Sequence, residues 1–188
     1  MGTQVTSFFT LVPHPSSRPT IEKVEALIWR DEGKFDIDFR LFGSPLQAKL
    51  QPRSKPARRD ELWRSTCFEA FIRPFGGETY YELNLAPSGH WAAYRFDAYR
   101  SGMRDAAIEG QPDPDILLYD GVWVQEAAFD LAGEPELDPA KAWQIGLSAV
   151  IEEEDGTKSY WALEHGPGPP DFHNLACFAY WLPPFEPE

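Results

Sequence analysis

Carboxylate, amide and guanidinium side chains alternate with aromatic rings in the middle third of the chain. The polar members are Glu69, Glu82, Asn84 and Arg95, and each lies in a short run of alternating polar and apolar residues. Such groups donate and accept the hydrogen bonds that the hydroxyls of a sugar need. A flat ring such as Trp63 packs against the C–H face of a sugar. These residue types therefore predict a site for a small polar ligand, most obviously a saccharide.

Three short strands must position these side chains. The runs Cys67–Phe75, Tyr80–Ala86 and Trp91–Ala98 alternate with period two, as strands with one buried face do. Gly76-Gly77 separates the first two runs, and Pro87-Ser88-Gly89 separates the second from the third. Glycine-rich turns between alternating runs are strong hairpin signals, so we expect two consecutive hairpins.

The first hairpin fixes which residues face each other. A tip at its glycine pair places Glu69 opposite Asn84 and Phe71 opposite Glu82. The other side of the hairpin is wholly apolar, and we expect it to lie in the core. That side comprises Phe68, Ala70, Ile72, Tyr81, Leu83 and Leu85.

The second hairpin extends the polar face in the predicted register. It places Arg95 opposite Glu82 and Trp91 opposite Ala86, so that both join Glu69 on one outward side of the sheet. We expect this side to be open to solvent. Because an open sheet face leaves carboxylates hydrated, no raised pKa is expected for either glutamate.

The rest of the chain follows the same alternating pattern, and no window shows a long helical stripe. The pattern leaves room for a short helix at Asp138–Lys141 or within Ser101–Ile108. Many short strands between Pro and Gly turns predict an all-β fold, a single-domain antiparallel β-sandwich of the jelly-roll-like kind. The candidate strands are Thr6–Val12, Val24–Arg30, Lys34–Phe42, Cys67–Phe75, Tyr80–Ala86, Trp91–Ala98, Val122–Leu131, Trp143–Glu152, Lys158–Leu163 and Leu175–Trp181.

Length and composition indicate one folded unit. The chain has 188 residues, of which 43% are hydrophobic, enough for one domain with a large core. No internal repeat and no linker divides it. We expect one ligand-binding domain over residues 1–182 and a short flexible tail over residues 183–188.

Charge argues against several classes of partner. The formal net charge is −13, which disfavours nucleic acids and anionic membranes, because phosphate contacts need Lys and Arg. No apolar run is long enough to span a bilayer, and the N-terminus lacks the pattern of a secretory signal. A cytoplasmic location is expected, with export of a processed chain left open. Cys67 and Cys177 are expected to be free, and the sequence does not indicate an oligomeric state.

Two alternatives use the same residues for other chemistry. Glu69 and Glu82 are paired carboxylates, the requirement of a glycoside hydrolase, although Glu82 is also placed to form a cross-strand ion pair with Arg95. His165 and His173 flank a proline-rich loop and raise the question of a metal or haem site. Their spacing matches no metal motif, and no methionine forms a convincing axial pair with them, so haem is not expected.

The central motifs resemble the DOMON-like superfamily, and within it the family 9 carbohydrate-binding modules. The likeness covers most of the chain, with Ala86 standing where the family's turn usually has Asn. It rests on Trp63, the strand Phe68-Glu69-Ala70-Phe71-Ile72 with its glycine turn, the strand Tyr80-Tyr81-Glu82-Leu83-Asn84, the turn Pro87-Ser88-Gly89 and the stretch from Trp161 to Phe178.

The resemblance implies a β-sandwich in which two aromatic rings clamp a terminal sugar. By position, Trp63 corresponds to the first ring, and Phe172 or His173 in the late loop corresponds to the second. Glu69 corresponds to the strand carboxylate and Arg95 to the guanidinium, with Arg100 as the other candidate. Family members often bind calcium structurally, but no calcium ligands are assigned in this sequence.

The sequence predicts non-catalytic binding of a small polar ligand, in chemical class a saccharide, on an aromatic and acidic sheet face. Its predicted contacts are Trp63, Glu69, Glu82, Asn84, Trp91, Arg95, Phe172 and His173. A carbohydrate-active hydrolase, a haem or redox module and a protein-interaction module remain as alternatives.

Overall fold

The computed structural model of this chain describes residues 5–43, 47–112 and 114–186. Over these ranges the regular structure is antiparallel β, with two three-residue 3-10 helices at Leu62–Arg64 and Leu175–Cys177. The strands are β1 (Val5–Pro13), β2 (Lys23–Arg30), β3 (Lys34–Phe42), β4 (Cys67–Pro74), β5 (Tyr80–Leu85), β6 (Trp91–Phe96), β7 (Arg104–Asp105), β8 (Asp115–Tyr119), β9 (Val122–Asp130), β10 (Trp143–Glu152), β11 (Lys158–Ala162) and β12 (Tyr180–Leu182).

The strands form two sheets that are joined through β1. The first sheet has the order β1-β2-β3-β9-β8, and the second has the order β7-β6-β5-β4-β10-β11. The last residues of β1, Val12 and Pro13, pair with β11 and so connect the sheets. Strand β10 pairs with β4 along one edge, while β12 and β11 share its other edge in succession.

The sheets pack face to face over a continuous apolar core. The ring of Phe68 in the second sheet lies 5.1 Å from that of Phe39 and 5.2 Å from that of Trp123, both in the first sheet. The side of β4 and β5 that was predicted to be apolar lies in this core. The prediction of an all-β antiparallel sandwich is confirmed.

The first hairpin has the predicted register. Glu69 pairs with Asn84 and Phe71 with Glu82 across β4 and β5. All four side chains lie on the face of the second sheet that points away from the sandwich core.

The predicted register of the second hairpin is wrong by one residue. Ala86 pairs with His90 through a hydrogen bond of 2.9 Å, so the turn has three residues and ends in Gly89 at φ 86°. A three-residue hairpin loop commonly closes with a left-handed residue, a conformation that glycine adopts without strain. A slip of one residue moves every following side chain to the opposite face.

This shift removes two predicted residues from the polar face. Trp91 lies opposite Leu85 and Arg95 opposite Tyr81, whereas Tyr94 is the residue beside Glu82. Trp91 is 6% exposed and belongs to the core between the sheets.

Three other expectations differ from the structure. Asp138–Lys141 is a turn, and the 101–108 segment contains β7, so neither is a helix. The predicted strand Leu175–Trp181 consists of a 3-10 helix followed by β12. In the predicted tail, Phe185 is buried and its N–H donates to the carbonyl of Pro139 at 2.8 Å, while residues 187 and 188 lie outside the described part.

Among the described residues, no helix combines the length and apolar character that crossing a membrane requires.

Candidate functional site

A cavity of about 460 Å³ lies on the outer face of the second sheet. This volume falls within the range of about 300–1,000 Å³ that is typical of small-molecule sites. Its floor is formed by β4, β5 and β10, and the segment 163–178 covers part of it. The polar face that was expected to be open is therefore roofed by a later part of the chain.

Two carboxyl groups form the polar centre of the floor. Glu69 on β4 and Glu82 on β5 both line the cavity, and each is only 3% exposed. The side-chain amide of Asn84 donates to Oε1 of Glu82 at 2.8 Å. Glu82 is thereby held in place by a residue two positions along the same strand. Asn84 itself is fully buried and does not line the cavity.

Several buried polar atoms on the floor have no hydrogen-bond partner among the described residues. Oε1 of Glu69, Oδ1 of Asn84 and Oγ of Ser148 are the three, and their residues are neighbours in one row across β5, β4 and β10. Most buried polar atoms in proteins have a partner. Of these three residues only Glu69 lines the cavity, so its Oε1 marks a place where a polar ligand can be accommodated.

The surroundings raise the pKa of both carboxyl groups. Burial raises the pKa of Glu69 well above its usual range, and the charge of Glu82 raises it further. Burial also raises the pKa of Glu82, against the hydrogen bond from Asn84 and the positive charge of Arg100. The expectation of unperturbed, hydrated carboxylates is therefore wrong, because alternation along a strand does not reveal a covering loop.

A chain of two hydrogen bonds leads from the backbone of Arg100 to His173, which lies beside Glu82. The N–H of Arg100 donates to the hydroxyl of Tyr80 at 3.1 Å, and that hydroxyl lies 2.7 Å from Nδ1 of His173. The hydroxyl of Tyr80 accepts from Arg100 and is also satisfied as a donor when it donates to Nδ1, which leaves the proton of a neutral imidazole on Nε2. Nε2 then points toward Oε2 of Glu82, at 3.8 Å.

His173 is held in its neutral form. Burial, assisted by the positive charge of Arg100, lowers the pKa of its imidazole to about 4. The ring makes edge contacts with Phe71, Tyr80 and Phe96, at centroid distances of 5.1 to 5.7 Å. His173 therefore acts at neutral pH as a hydrogen-bonding wall of the cavity and not as a cation.

Asp171 links the covering segment, residues 163–178, to the connection between β6 and β7. Its carboxylate accepts hydrogen bonds from Tyr99 at 2.5 Å, from Arg100 at 2.7 Å and from the N–H of His173 at 3.2 Å. Although partial burial opposes it, the bonds from Tyr99 and Arg100 hold the pKa of Asp171 below its usual range.

A close backbone approach fastens the other end of the cover. A side chain at Gly146 on β10 would place its Cβ 3.0 Å from the carbonyl oxygen of Cys177 and 3.4 Å from Cβ of Phe71. Glycine therefore lets the covering segment lie directly on the sheet. Cys67 and Cys177 are both free and buried.

Aromatic rings form the walls. Trp63 lies in the first 3-10 helix, and its ring meets that of Tyr94 edge-on at 6.0 Å. Tyr94 is fixed by a hydrogen bond to Asp60 at 2.8 Å. Phe172 in the cover is 8% exposed and lies 6.2 Å from the ring of Tyr160.

Five of the eight predicted ligand contacts line the cavity, and three, Asn84, Trp91 and Arg95, do not. The five that line it are Trp63, Glu69, Glu82, Phe172 and His173. Trp91 lies in the core between the sheets. Arg95 binds Asp97 at 2.8 Å and Glu136 at 2.7 Å, so the predicted ion pair between Glu82 and Arg95 is absent from the described residues.

Arg100, the other candidate from the family resemblance, lines the cavity in place of Arg95. The sequence reasoning missed Arg64, Lys158, Tyr160 and Asp171, which also contribute to the lining. Asp171 lies within the proline-rich loop that the two histidines flank, and this position was the available signal. Within the described residues, no group of three or more His, Cys, Asp or Glu side chains is arranged to hold a metal ion.

No protein-family model and no curated protein sequence matches this chain. Among solved structures, it is similar to a Bacteroides uniformis protein that was proposed to bind carbohydrate, with a TM-score of 0.67 and 16% identity. That similarity covers 91% of this chain and 83% of the other.

Two further similar structures come from Caldicellulosiruptor kristjanssonii. Both are described as family 9 carbohydrate-binding modules. The complex with glucose has a TM-score of 0.49 and 10% identity, over 81% of this chain and 72% of the other. The complex with cellotriose has a TM-score of 0.48 and 10% identity, over 85% of this chain and 74% of the other. Similarity at these levels establishes a shared fold with the Bacteroides protein alone.

Proposed function

We propose that this protein binds a saccharide, or a small ligand equally rich in hydroxyl groups, in the cavity of the second sheet and releases it unchanged. The observation that carries the proposal is the pairing of a polar floor with aromatic walls. Glu69 and Glu82 offer hydrogen bonds at the bottom, while Trp63 and Phe172 offer ring surfaces at the sides.

The unpartnered Oε1 of Glu69 supports a ligand that reaches the floor. A hydroxyl group both donates and accepts, so it suits a protonated carboxyl as well as an ionised one. Asn84 already uses its amide N–H on Glu82 and so fixes one of the two acceptors. A pre-positioned floor lowers the ordering that a ligand must impose on binding.

The placement of the two glutamates favours binding over hydrolysis. Glycoside hydrolases hold the scissile bond between two carboxyl groups that flank it. Here Glu69 and Glu82 lie on adjacent strands of the same floor, two positions apart in the register. A sugar above the floor would meet both groups from one side.

Fold similarity to the Bacteroides uniformis protein, itself proposed to bind carbohydrate, is consistent with this function. Membership of the DOMON-like superfamily stays a prediction.

Titration calorimetry with a panel of neutral and charged mono- and oligosaccharides tests the proposal. We expect binding of at least one sugar and a loss of affinity of ten-fold or more in Trp63→Ala and in Glu69→Gln. Trp181→Ala is the matched control, because Trp181 is 48% exposed and does not line the cavity.

Binding that is absent across the panel, or that survives unchanged in both variants, would overturn the proposal. A parallel assay with chromogenic glycosides separates binding from hydrolysis. Turnover that disappears in Glu82→Gln would show an enzyme instead of a binding protein.

A further inference from the structure

We propose that the natural ligand carries a positively charged amine, as an amino sugar does, and that its ammonium group binds between Glu69 and Glu82. This inference rests on the proposed function and names the chemical class of the ligand for the same cavity. It is carried by the arrangement of charges on the floor.

The two carboxyl groups form a buried acidic pair, and no Lys or Arg in the described part of the chain forms an ion pair with either of them. Both are 3% exposed, both line the cavity, and Oε1 of Glu69 has no partner among the described residues. The groups closest to them in the register are the amide of Asn84, the hydroxyl of Ser148 and the thiol of Cys67, none of which is positively charged.

The cations around the cavity are already bound to other groups. Arg100 pairs with Asp171 at 2.7 Å, and Arg64 pairs with Glu61 at 2.7 Å. The ammonium of Lys158 donates to the carbonyl of Arg64, also at 2.7 Å. Although the charge of Arg100 lowers the pKa of both glutamates, none of these three cations forms an ion pair with Glu69 or Glu82 among the described residues.

His173, the remaining basic group near the pair, does not supply the missing charge. Its Nε2 lies 3.8 Å from Glu82, beyond hydrogen-bond distance, and burial lowers the pKa of the imidazole to about 4. At neutral pH the acidic pair therefore faces an uncharged ring.

Ionising a buried carboxyl group is costly without a cation beside it, and a bound ammonium would remove that cost. The low-dielectric surroundings that raise the pKa of both glutamates also strengthen their attraction for a positive group placed beside them. The aromatic walls add a favourable cation–π term when an ammonium lies over a ring. The net charge of −13 gives the whole molecule a field that attracts cations.

The test compares sugars that differ only at one nitrogen. Calorimetry at pH 7 would measure glucosamine against glucose and N-acetylglucosamine, with the matching galactose and mannose sets. We expect the amine of at least one set to bind ten-fold or more tightly than both its hydroxyl and its acetylated counterparts. That preference should disappear in the double variant Glu69→Gln/Glu82→Gln, which keeps side-chain size while removing both charges.

A second measurement, proton release on binding to the wild-type protein, does not depend on whether the double variant folds. Binding of an ammonium group to the wild-type protein ionises the carboxyl pair, so protons should pass to the buffer. Titrations in two buffers with different enthalpies of ionisation should then give different apparent binding enthalpies.

The outcomes separate this inference from the proposed function. Equal or tighter binding of the neutral sugars would overturn the amine preference while leaving saccharide binding intact. Failure of every sugar to bind would overturn both.

Discussion

The hydroxyl of Tyr80 lies 2.7 Å from Nδ1 of His173, and this contact joins the central strand β5 to the segment that covers the cavity. It also selects which nitrogen of the imidazole carries the proton. The floor and the roof of the cavity are thus connected by one directional hydrogen bond, and its removal has consequences for both.

Tyr80→Phe should release His173 from its tautomer. The variant loses the hydrogen bond to Nδ1 and leaves the N–H of Arg100 without its acceptor, so we expect a loss of about 1–2 kcal/mol in the free energy of unfolding. Ring ¹⁵N shifts should move from an Nε2–H pattern toward a mixture, and sugar affinity should fall several-fold. Tyr119→Phe, at a 73% exposed position, is the control. An unchanged ¹⁵N pattern would contradict the assignment.

Asp171→Asn should loosen the cover. Asparagine cannot offer two carboxylate oxygens to Tyr99 and Arg100, but both partners are partly exposed, so the loss of stability should be about 1 kcal/mol or less. Amide hydrogen exchange should increase over residues 166–177, with weaker ligand binding.

Asp155→Asn provides a matched control, because its carboxylate accepts bonds from Thr157 in a turn outside the cavity lining. Asp155→Asn should change stability without changing affinity. Equal effects of the two variants on affinity would show that the Asp171 contacts do not hold the site.

Glu69→Gln should stabilise the fold at neutral and alkaline pH. In the unfolded chain Glu69 ionises near its ordinary pKa of 4.5, whereas the folded protein retains the proton to a higher pH. Through that window the unfolded state binds fewer protons, so the free energy of unfolding falls as pH rises.

The variant should therefore be more stable than the wild type at pH 8 and equally stable at pH 4. Urea unfolding at both values measures the difference, with the exposed Glu154→Gln as control. A constant difference between wild type and Glu69→Gln across this range would show that Glu69 is not held protonated.

Gly146→Ala should lift the covering segment from the sheet. The added Cβ would lie 3.0 Å from a backbone oxygen, a contact that only a backbone movement relieves, and overpacking of this kind costs about 1–3 kcal/mol. Gly33→Ala is matched to it, since its nearest contact would be an ordinary 3.7 Å to Ala132. Thermal unfolding compares the two variants. Equal melting temperatures would show that Gly146 is not needed for the close approach.

The first hairpin was predictable because its signals agree. The glycine pair indicates where the chain reverses, and the apolar side of β4 and β5 fits only one register. The pairing of Glu69 with Asn84 follows from these local rules alone.

The second hairpin was not predictable in register. Pro87, Ser88 and Gly89 are compatible with loops of two or three residues, and each choice places a different set of side chains on the polar face. Trp91 and Arg95 were therefore assigned to the wrong side. Only the backbone conformation of Gly89 decides between the two.

The roof of the cavity could not be foreseen from periodicity. The alternation of polar and apolar residues along a strand is the same whether water or another segment covers the polar face. The burial of Glu69 and Glu82 depends on a segment about 90 residues later in the chain, and such non-local packing leaves no mark on the alternation of β4 or β5. The family resemblance supplied what the pattern lacked, since it drew attention to Phe172 and His173.

Strands β11 and β12 both attach to the same edge of β10, and the covering segment runs between them. The covering segment is consequently anchored at both ends, unlike a flap that moves on a single hinge. One side of the cavity is therefore bounded by a segment that is anchored at both ends. Selection among ligands should therefore depend on their width and on the side chains that line the cavity, with little contribution from a movement of the covering segment.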